Sequence, residues 1–587
     1  MRKFLFTAKI IWAADKGYIL WILLSFLLQA PSTIMSTFFF ALLITGAEDG
    51  SLGIILFAII TYAVSAILLS ITSCYMAYKR LPSARMKIER HLNHLLLKKV
   101  SKLDMEFFDN PDSYDSLTKA VMTMEMQIAE LLGTVSSFMS LALSMAVGLL
   151  TIIMLEPFFI IIAVIMGIIS LAGSIWTARR MEIYNEEIAP VTRRAQYFKG
   201  LFFLRNTISD FKQFVPFSGL LFNKYDDALK EKQNLEGKLN SSLFKVQTVH
   251  SLFADILTTL IPYLYLGFLL YSGTISVAAT TALIASFLLV TGSFANAAEF
   301  AGNLKQNSLF VKYLMYIFDY KLTIDIAGGI VLTDIESIRF DDVSFKYPNT
   351  DEYALQHLTF SINKGDKIAL VGENGAGKTS IVRLLVRFYD PQGGHIIING
   401  RDIKEYDIIS LRVAISSVFQ DFVEYALPIE EIISCNAGLD VDKSKIENVL
   451  KQVGLFEKVI ESKNGTLTEY TKYFEEDGLV FSGGQLQKLI IARMLYKNAQ
   501  VIIMDEASSS LDPKSEYEIN KQITEIAESR TLIVISHRLS SVISMDKIIF
   551  LENGRVTEEG NHAQLIDNEG SYCTLFKLQA SGYIDER

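Results

Sequence analysis

Cysteine is scarce. The chain of 587 residues has 3, at Cys74, Cys435 and Cys573, far apart from one another. They form no metal-ligand spacing and no disulfide framework, so the thiols read as isolated. Excess basic charge is also missing: the balance is −9, which argues against nucleic acid as the main partner. No cleavable signal peptide is evident. The first apolar stretch starts near Gly17, outruns a secretory core and carries no small-residue cleavage site, so it reads as a retained span. What the chain has in quantity is apolar surface: 50% hydrophobic residues, with 38 Phe and 25 Tyr, and a mean hydropathy of +0.30. That is too apolar for an ordinary soluble protein and points to membrane spans. The length also exceeds what one core can organise, so at least two domains are expected.

Apolar stretches at about 18–45, 51–78, 131–155, 158–177, 251–272 and 276–298 each approach or exceed the ~20 residues that cross a bilayer. They form three close pairs, closed by Glu48-Asp49-Gly50, Glu156-Pro157 and Ser272-Gly273-Thr274. Basic residues flank the other ends: Arg2, Lys3, Lys9 and Lys16, then Lys79, Arg80, Arg85, Lys87 and Arg90, then Arg179 and Arg180. The positive-inside rule therefore places both termini and the long segments 79–130 and 178–250 in the cytoplasm of a multi-pass cell-membrane protein. Those segments show helical periodicity and are expected to carry the spans on as long cytoplasmic helices. Two turn-backs interrupt them. In Phe107–Leu117, Asp109, Asn110 and Pro111 supply the stop, with Asp112 or Ser113 capping a short transverse helix. The second lies at Asp210–Pro216. Pro31 and Pro262 are expected to bend their spans, and Asp255 is the ionisable residue to watch in the fifth. The helical pattern fades between Tyr313 and Tyr320. The expected division is a membrane domain at 1–320, a linker at 321–335 and a soluble domain at 336–587.

The soluble part opens with a strand-like alternation from Ile338 to Tyr347 and a second strand from Leu355 to Ile362. A third, Lys367–Val371, leads into Gly372-Glu373-Asn374-Gly375-Ala376-Gly377-Lys378-Thr379, the G-x-x-x-x-G-K-[ST] phosphate loop, and a helix from Thr379 follows. Strand, loop and helix in that order present backbone N–H groups and a helix start to phosphate. Lys378 is expected to reach the β- and γ-phosphates and Thr379 to hold Mg²⁺. The strand Ala414–Phe419 runs into Gln420. Val501–Met504 ends in Asp505, a Mg²⁺ partner, and Glu506, a carboxylate for the attacking water. Thr531–Ser536 delivers His537, a γ-phosphate sensor. Helical stretches at 380–388, 443–451, 484–497 and 515–529 separate these strands, which indicates a mainly parallel sheet covered on both sides. Tyr347 stands where an aromatic ring would stack on adenine.

One motif exceeds the needs of a single nucleotide. Ser482-Gly483-Gly484-Gln485 opens a helix whose start is a second anion site, about a hundred residues after the first. The economical explanation is a nucleotide held by another copy of the chain.

With these motifs in place the chain resembles an ABC exporter half-transporter. This family has an all-α six-helix transmembrane domain with long cytoplasmic helical extensions, fused to an α/β P-loop ABC-type nucleotide-binding domain. The resemblance matches Tyr347 to the adenine-stacking aromatic, Gly372–Thr379 with Ser380 to Walker A, and Gln420 to the Q-loop, a Mg²⁺-contacting residue. It matches Ser482–Gln485 to the signature, Met504–Glu506 to Walker B, Ser510-Leu511-Asp512 to the D-loop and His537 to the switch histidine. It implies ATP hydrolysis with Mg²⁺ and a head-to-tail dimer. Glu506 and His537 are both intact, which favours a homodimer over a heterodimer with a degenerate partner. The turn-backs resemble coupling helices. The segments Asp109–Asp115 and Arg193-Arg194-Ala195-Gln196-Tyr197-Phe198 are similar to those of lantibiotic-type peptide exporters. ATP-driven export of a peptide or amphipathic substrate is therefore expected, with leader cleavage left to another protein because no peptidase domain precedes the first span. A multidrug or lipid exporter is the alternative, and a non-transporting regulatory ATPase the second.

Overall fold

The computed structural model describes residues 2–256, 260–324, 328–419, 423–436, 441–505, 521, 523–525, 530–536 and 538–584. The chain divides into two compact units, Met1–Val100 with Asp115–Asp319, and Ser101–Tyr114 with Tyr320–Arg587.

The helices before residue 320 are α1 (Arg2–Ala14), α2 (Lys16–Glu48), α3 (Leu52–Tyr75), α4 (Leu81–Val100), α5 (Met105–Asp109), α6 (Pro111–Leu155), α7 (Phe159–Leu201), α8 (Arg205–Gln213), α9 (Val215–Asp255), α10 (Ile261–Tyr271) and α11 (Val277–Asp319). Among the described residues, Lys16–Glu48, Leu52–Val100, Ser137–Leu155 and Val277–Phe294 are long and apolar enough to cross a membrane, and Phe159–Ile169 and Ile261–Tyr271 are shorter apolar helices. Asp15 caps α2, accepting from the Tyr18 amide at 3.2 Å, and also accepts from Arg80 at 2.8 Å. One apolar cluster joins α6, α7, α10 and α11 through Ile152, Phe159, Ala163, Leu266, Leu283 and Phe287. Pro31 lies inside α2, and Pro262 opens α10, where its missing N–H costs nothing. The side chain of Asp255 lies outside the described residues.

Three local readings change. The helical pattern does not fade at Tyr313: α11 continues to Asp319, and Phe310, Val311, Leu314 and Ile317 are buried at helical spacing. The short transverse helix precedes Asn110-Pro111 instead of following it. Asp104 caps it, and Asn110, in place of Asp112 or Ser113, accepts from the amides of both at 3.0 and 3.3 Å, with Pro111 as the first residue of α6. The second turn-back is α8, which begins at Arg205 and breaks at Phe214, so it starts earlier than its expected 210–216.

In the second unit a six-stranded sheet runs β10-β9-β3-β8-β7-β6, and a four-stranded antiparallel sheet runs β2-β1-β4-β5. The strands are β1 (Ser337–Phe345), β2 (Leu355–Asn363), β3 (Lys367–Gly372), β4 (Gly393–Ile398), β5 (Arg401–Asp402), β6 (Ile415–Val418), β7 (Val501–Asp505), β8 (Thr531–Ile535), β9 (Lys547–Glu552) and β10 (Arg555–Gly560). The larger sheet is parallel except at β10. Its helices are α12 (Lys378–Leu385), α13 (Ile408–Ala414), α14 (Ile429–Ser434), α15 (Lys443–Gln452), α16 (Phe456–Ile460) and α17 (Gly483–Lys497).

Strand alternation sorts the core into two halves. Ile368 and Leu370 of β3, Val501 and Ile503 of β7, and Ile533 and Ile535 of β8 pack with Ile381, Val382 and Leu385 of α12 and with the antiparallel sheet. Their neighbours Ala369, Val371, Ile502, Met504, Leu532 and Val534 pack with Leu486, Leu489 and Ile490 of α17 and with α14 and α15. The helices α12 and α17 therefore cover opposite faces of one sheet.

Candidate functional site

The phosphate loop leaves the end of β3 and turns into α12. Gly375 and Gly377 adopt φ of 82° and 96°, the left-handed region that glycine enters without penalty. At Gly377 a Cβ would stand 2.6 Å from the Ala354 carbonyl oxygen, so the loop also needs glycine for space. Glu373, Asn374 and Gly375 are exposed, and Ala376, Lys378 and Ser380 are buried. The Lys378 ammonium donates to the carbonyls of Gly372 and Glu373, each at 2.8 Å. It is thereby folded over the loop whose amides it is expected to assist.

Asp505 ends β7 at 2% exposure. Register aligns Leu370 with Ile535 and Ile535 with Asp505, so Asp505 and the start of the phosphate loop lie at one sheet edge, two strands or about 10 Å apart. Among the described residues no group of three or more His, Cys, Asp and Glu side chains is arranged to hold a metal. The donors at this edge, the Thr379 hydroxyl and one carboxylate, fit Mg²⁺, which binds through one or two protein oxygens together with phosphates. Gln420, Glu506, Asp512 and His537 lie outside the described residues.

Tyr347 is tied to α12. Its hydroxyl is 2.9 Å from Ser380 Oγ and accepts from Arg383 at 3.2 Å, while the guanidinium lies 5.5 Å from the ring centre. Phe345 and Tyr389 meet the ring edge-on at 4.9 and 5.4 Å. The aromatic and the phosphate-loop helix are thus one assembly. Tyr389 extends it, because its hydroxyl donates to the Asp109 carboxylate at the end of α5. Burial, reinforced by Asp109, holds that hydroxyl far above the usual tyrosine range, so it stays a donor. Asp104 at the other end of α5 accepts from the Thr323 amide and hydroxyl, both at 2.6 Å, and from Tyr320 at 3.3 Å. Sequence reasoning missed Tyr389, Arg383 and Asp104. The only local signal was the aromatic run Phe388-Tyr389 after α12.

Ser482 caps α17 in a capping box: it accepts from the Gln485 amide at 3.4 Å, and Gln485 Oε1 accepts from the Ser482 amide at 3.1 Å. Lys458 donates to the same Oε1 at 2.6 Å and lies over the Phe481 ring. Ser482 and Gly483 are exposed, and a Cβ at Gly483 would meet nothing. The structure therefore joins Tyr347 to the phosphate loop and sets Ser482–Gln485 apart from it, across the sheet.

A phosphate loop on a parallel sheet, an antiparallel sheet carrying the aromatic and a capped helix on the far face define an ABC-type nucleotide-binding domain. With the long apolar helices that precede it in sequence, it gives the chain a helical N-terminal part and a C-terminal α/β nucleotide-binding domain, a fold similar to that of ABC exporters. Residues 355–509 match the family described as ABC transporter, which implies ATP binding. Similar curated proteins are named ATP-dependent lipid A-core flippase. The one from Idiomarina loihiensis is 34% identical over 310 residues, 53% of each chain. That from Saccharophagus degradans is 39% identical over 247 residues, 42% of this chain and 41% of its own. The protein from Pectobacterium atrosepticum is 29% identical over 367 residues, 61% of this chain and 62% of its own. The chain spans about half the length of the curated relatives it matches. In fold it is similar to a bacterial Atm1-family ABC exporter solved with ATP bound, at a TM-score of 0.74 and 22% identity, covering 97% of this chain and 99% of the other.

Proposed function

We propose that this chain is one half of an ATP-driven exporter that moves a lipid-like amphipathic substrate across the cell membrane. The observation that carries the reading is the opposition of α12 and α17 on the two faces of one sheet. A phosphate loop and an exposed helix start so separated serve different nucleotides, so each ATP site needs two chains, and a homodimer is the simplest assembly.

In that assembly the amides of Gly375–Thr379 and the Lys378 ammonium hold phosphate, Ser380 supports the loop, and Tyr347 orients the base. Thr379, Asp505 and Gln420 would hold Mg²⁺, which supplies charge neutralisation on the phosphates when bound. Glu506 positions and deprotonates the attacking water, and His537 reads the γ-phosphate. Ser482, Gly483, Gly484 and Gln485 of one chain close on the nucleotide held by the other, with Asp512 at the same boundary. Residues 1–320 form the six-span membrane domain, 321–335 the linker and 336–587 the ATP-binding domain, with both termini cytoplasmic. Drawing the ATP-binding domains together would then turn the helical cavity outward.

For the cargo, the flippase names of the relatives support a lipid over a peptide. The segments that resembled peptide exporters have local uses instead: Asp109 takes the Tyr389 hydroxyl, Asn110 caps α6, and Arg194 pairs with Glu231 at 2.8 Å. The test is reconstitution in vesicles with a labelled lipid. ATP-dependent movement between leaflets supports the reading, and ATP turnover without movement of lipid or amphipath supports a regulatory ATPase instead. Mixed dimers address the shared site. One chain with Ser482→Arg and one with Lys378→Ala should retain a single intact site, and turnover no greater than in either pure mutant would refute the two-chain arrangement.

A further inference from the structure

Lys458 stands on α16, 27 residues before Gln485, yet its side chain ends at the start of α17. Leu455 and Val459 are buried in the core that surrounds α17 and fix the short helix there. From that anchor the ammonium reaches the backbone on either side of Phe481. It donates to the Val480 carbonyl at 3.2 Å and to Gln485 Oε1 at 2.6 Å, and it lies 5.0 Å from the Phe481 ring centre. Phe481 is itself buried and stacks on Tyr470 at 5.6 Å. The Tyr470 hydroxyl donates to Glu424 at 3.2 Å, and Glu424 follows Gln420 by four residues. Burial and the Glu424 charge push that hydroxyl up to about 12, so it stays a donor.

These contacts all bear on one turn of backbone. Gln485 Oε1 also accepts from the Ser482 amide at 3.1 Å, while the Gln485 amide donates to Ser482 Oγ at 3.4 Å, a long bond. One arm of the capping box is therefore weak, and its closure depends on where the Gln485 side chain is held. With the box closed, the Ser482 amide is engaged and the Gly483 and Gly484 amides, which no helix carbonyl can reach, are left to an anion. The acceptors of Lys458 among the described residues are uncharged. Its positive charge thus stays beside a helix start whose dipole already favours a phosphate.

We propose that Lys458 is a positioning residue of the two-chain ATP site. It sets the Gln485 side chain, and through it the Gly483 and Gly484 amides, in the geometry that closes on the partner's nucleotide. The proposal rests on the reading that Ser482–Gln485 serves the nucleotide of the other chain. It follows that Lys458 acts on turnover at its partner's phosphate loop and leaves its own chain's nucleotide untouched.

The test uses the full chain purified in detergent. Lys458→Met keeps the length of the side chain and removes its charge and donors. Hydrogen–deuterium exchange at residues 482–486 should quicken about fivefold, the effect of losing one charged hydrogen bond at a half-buried site. Lys458→Arg should stay near wild type. In Lys458→Met, kcat for ATP should fall by a similar factor while ADP binding is unchanged, because the phosphate loop and Tyr347 are untouched. Phe481→Leu should quicken exchange about twofold and add little to Lys458→Met. Unchanged exchange in Lys458→Met would overturn the proposal. So would fully additive effects of the two changes, no rescue by arginine, or a loss of ADP binding equal to the loss of kcat, which marks a merely structural residue. Mixed dimers separate this proposal from the reading beneath it. A Lys458→Met chain paired with a Lys378→Ala chain should turn over as fast as wild type paired with Lys378→Ala. A fivefold slower mixed dimer, with exchange at 482–486 quickened as expected, would refute the two-chain arrangement and leave the hold of Lys458 on Gln485 standing.

Discussion

Replacing Tyr389 by Phe removes one hydroxyl and leaves the ring in its contacts with Phe345 and Tyr347. The lost interaction is the hydrogen bond to Asp109, the last residue of α5. A hydrogen bond to a charged acceptor contributes ~1.5–3 kcal/mol when buried, but Asp109 is exposed and regains water, so about 1 kcal/mol is the expected cost. That energy anchors a helix of five residues whose cap bonds are few: the Phe107 amide to Asp104 at 3.4 Å and the Asn110 amide to Glu106 at 3.2 Å. Local opening of α5 should become about fivefold more frequent. Hydrogen–deuterium exchange over residues 104–110 measures this, comparing wild type, Tyr389→Phe, Asp109→Asn and the double variant. The two single changes should each speed exchange, and the double should do little more than either. Unchanged exchange in Tyr389→Phe, or fully additive effects, would show that the contact does not hold α5.

Glu506→Gln is expected to bind ATP with near-normal affinity while losing about a hundredfold or more in turnover, measured by nucleotide binding and phosphate release; normal turnover would remove Glu506 from the chemistry. Lys378→Ala should weaken ATP more than ADP, because the lost ammonium acts at the terminal phosphates; equal loss for the two nucleotides, by equilibrium binding, would contradict that. Tyr320 gives a pH dependence. Burial and the Asp104 charge push its hydroxyl up to about 12, against about 10 in an unfolded chain. The raised value means that its stabilising share is complete below pH ~10 and is lost as pH rises through ~12. A thermal-melting difference between wild type and Tyr320→Phe should therefore shrink across that window, and a difference independent of pH would refute the assignment.

The phosphate loop, its strand and its helix were legible because glycine spacing, an apolar strand and helical periodicity coincide within a few residues. Two further strands, β7 and β8, could be read from their apolar runs, since a strand buried on both faces leaves few polar interruptions, and β6 was read from the apolar residues that flank Ser416 and Ser417. The pairing of β4 and β5 with β1 was not. A strand of two residues carries no period, and the bulges of β1 break its alternation. The place of Tyr389 was hidden for another reason. Its partner Asp109 is 280 residues away, a separation that no local pattern encodes. The first turn-back was located but reversed, because Asn110-Pro111 serves equally as a stop and as a start. Only the backbone shows that Asn110 caps the helix that follows.

The division of β3 between two cores has a genetic consequence. In a two-chain ATPase, substitutions at Ile368 or Leu370 act on the α12 side, and so on the chain's own phosphate loop. Those at Ala369 or Val371 act on the α17 side, and so on the nucleotide of the partner. Adjacent codons would then fall into different complementation groups. Two defective alleles from opposite groups would restore one working site when co-expressed, whereas two from the same group would restore none.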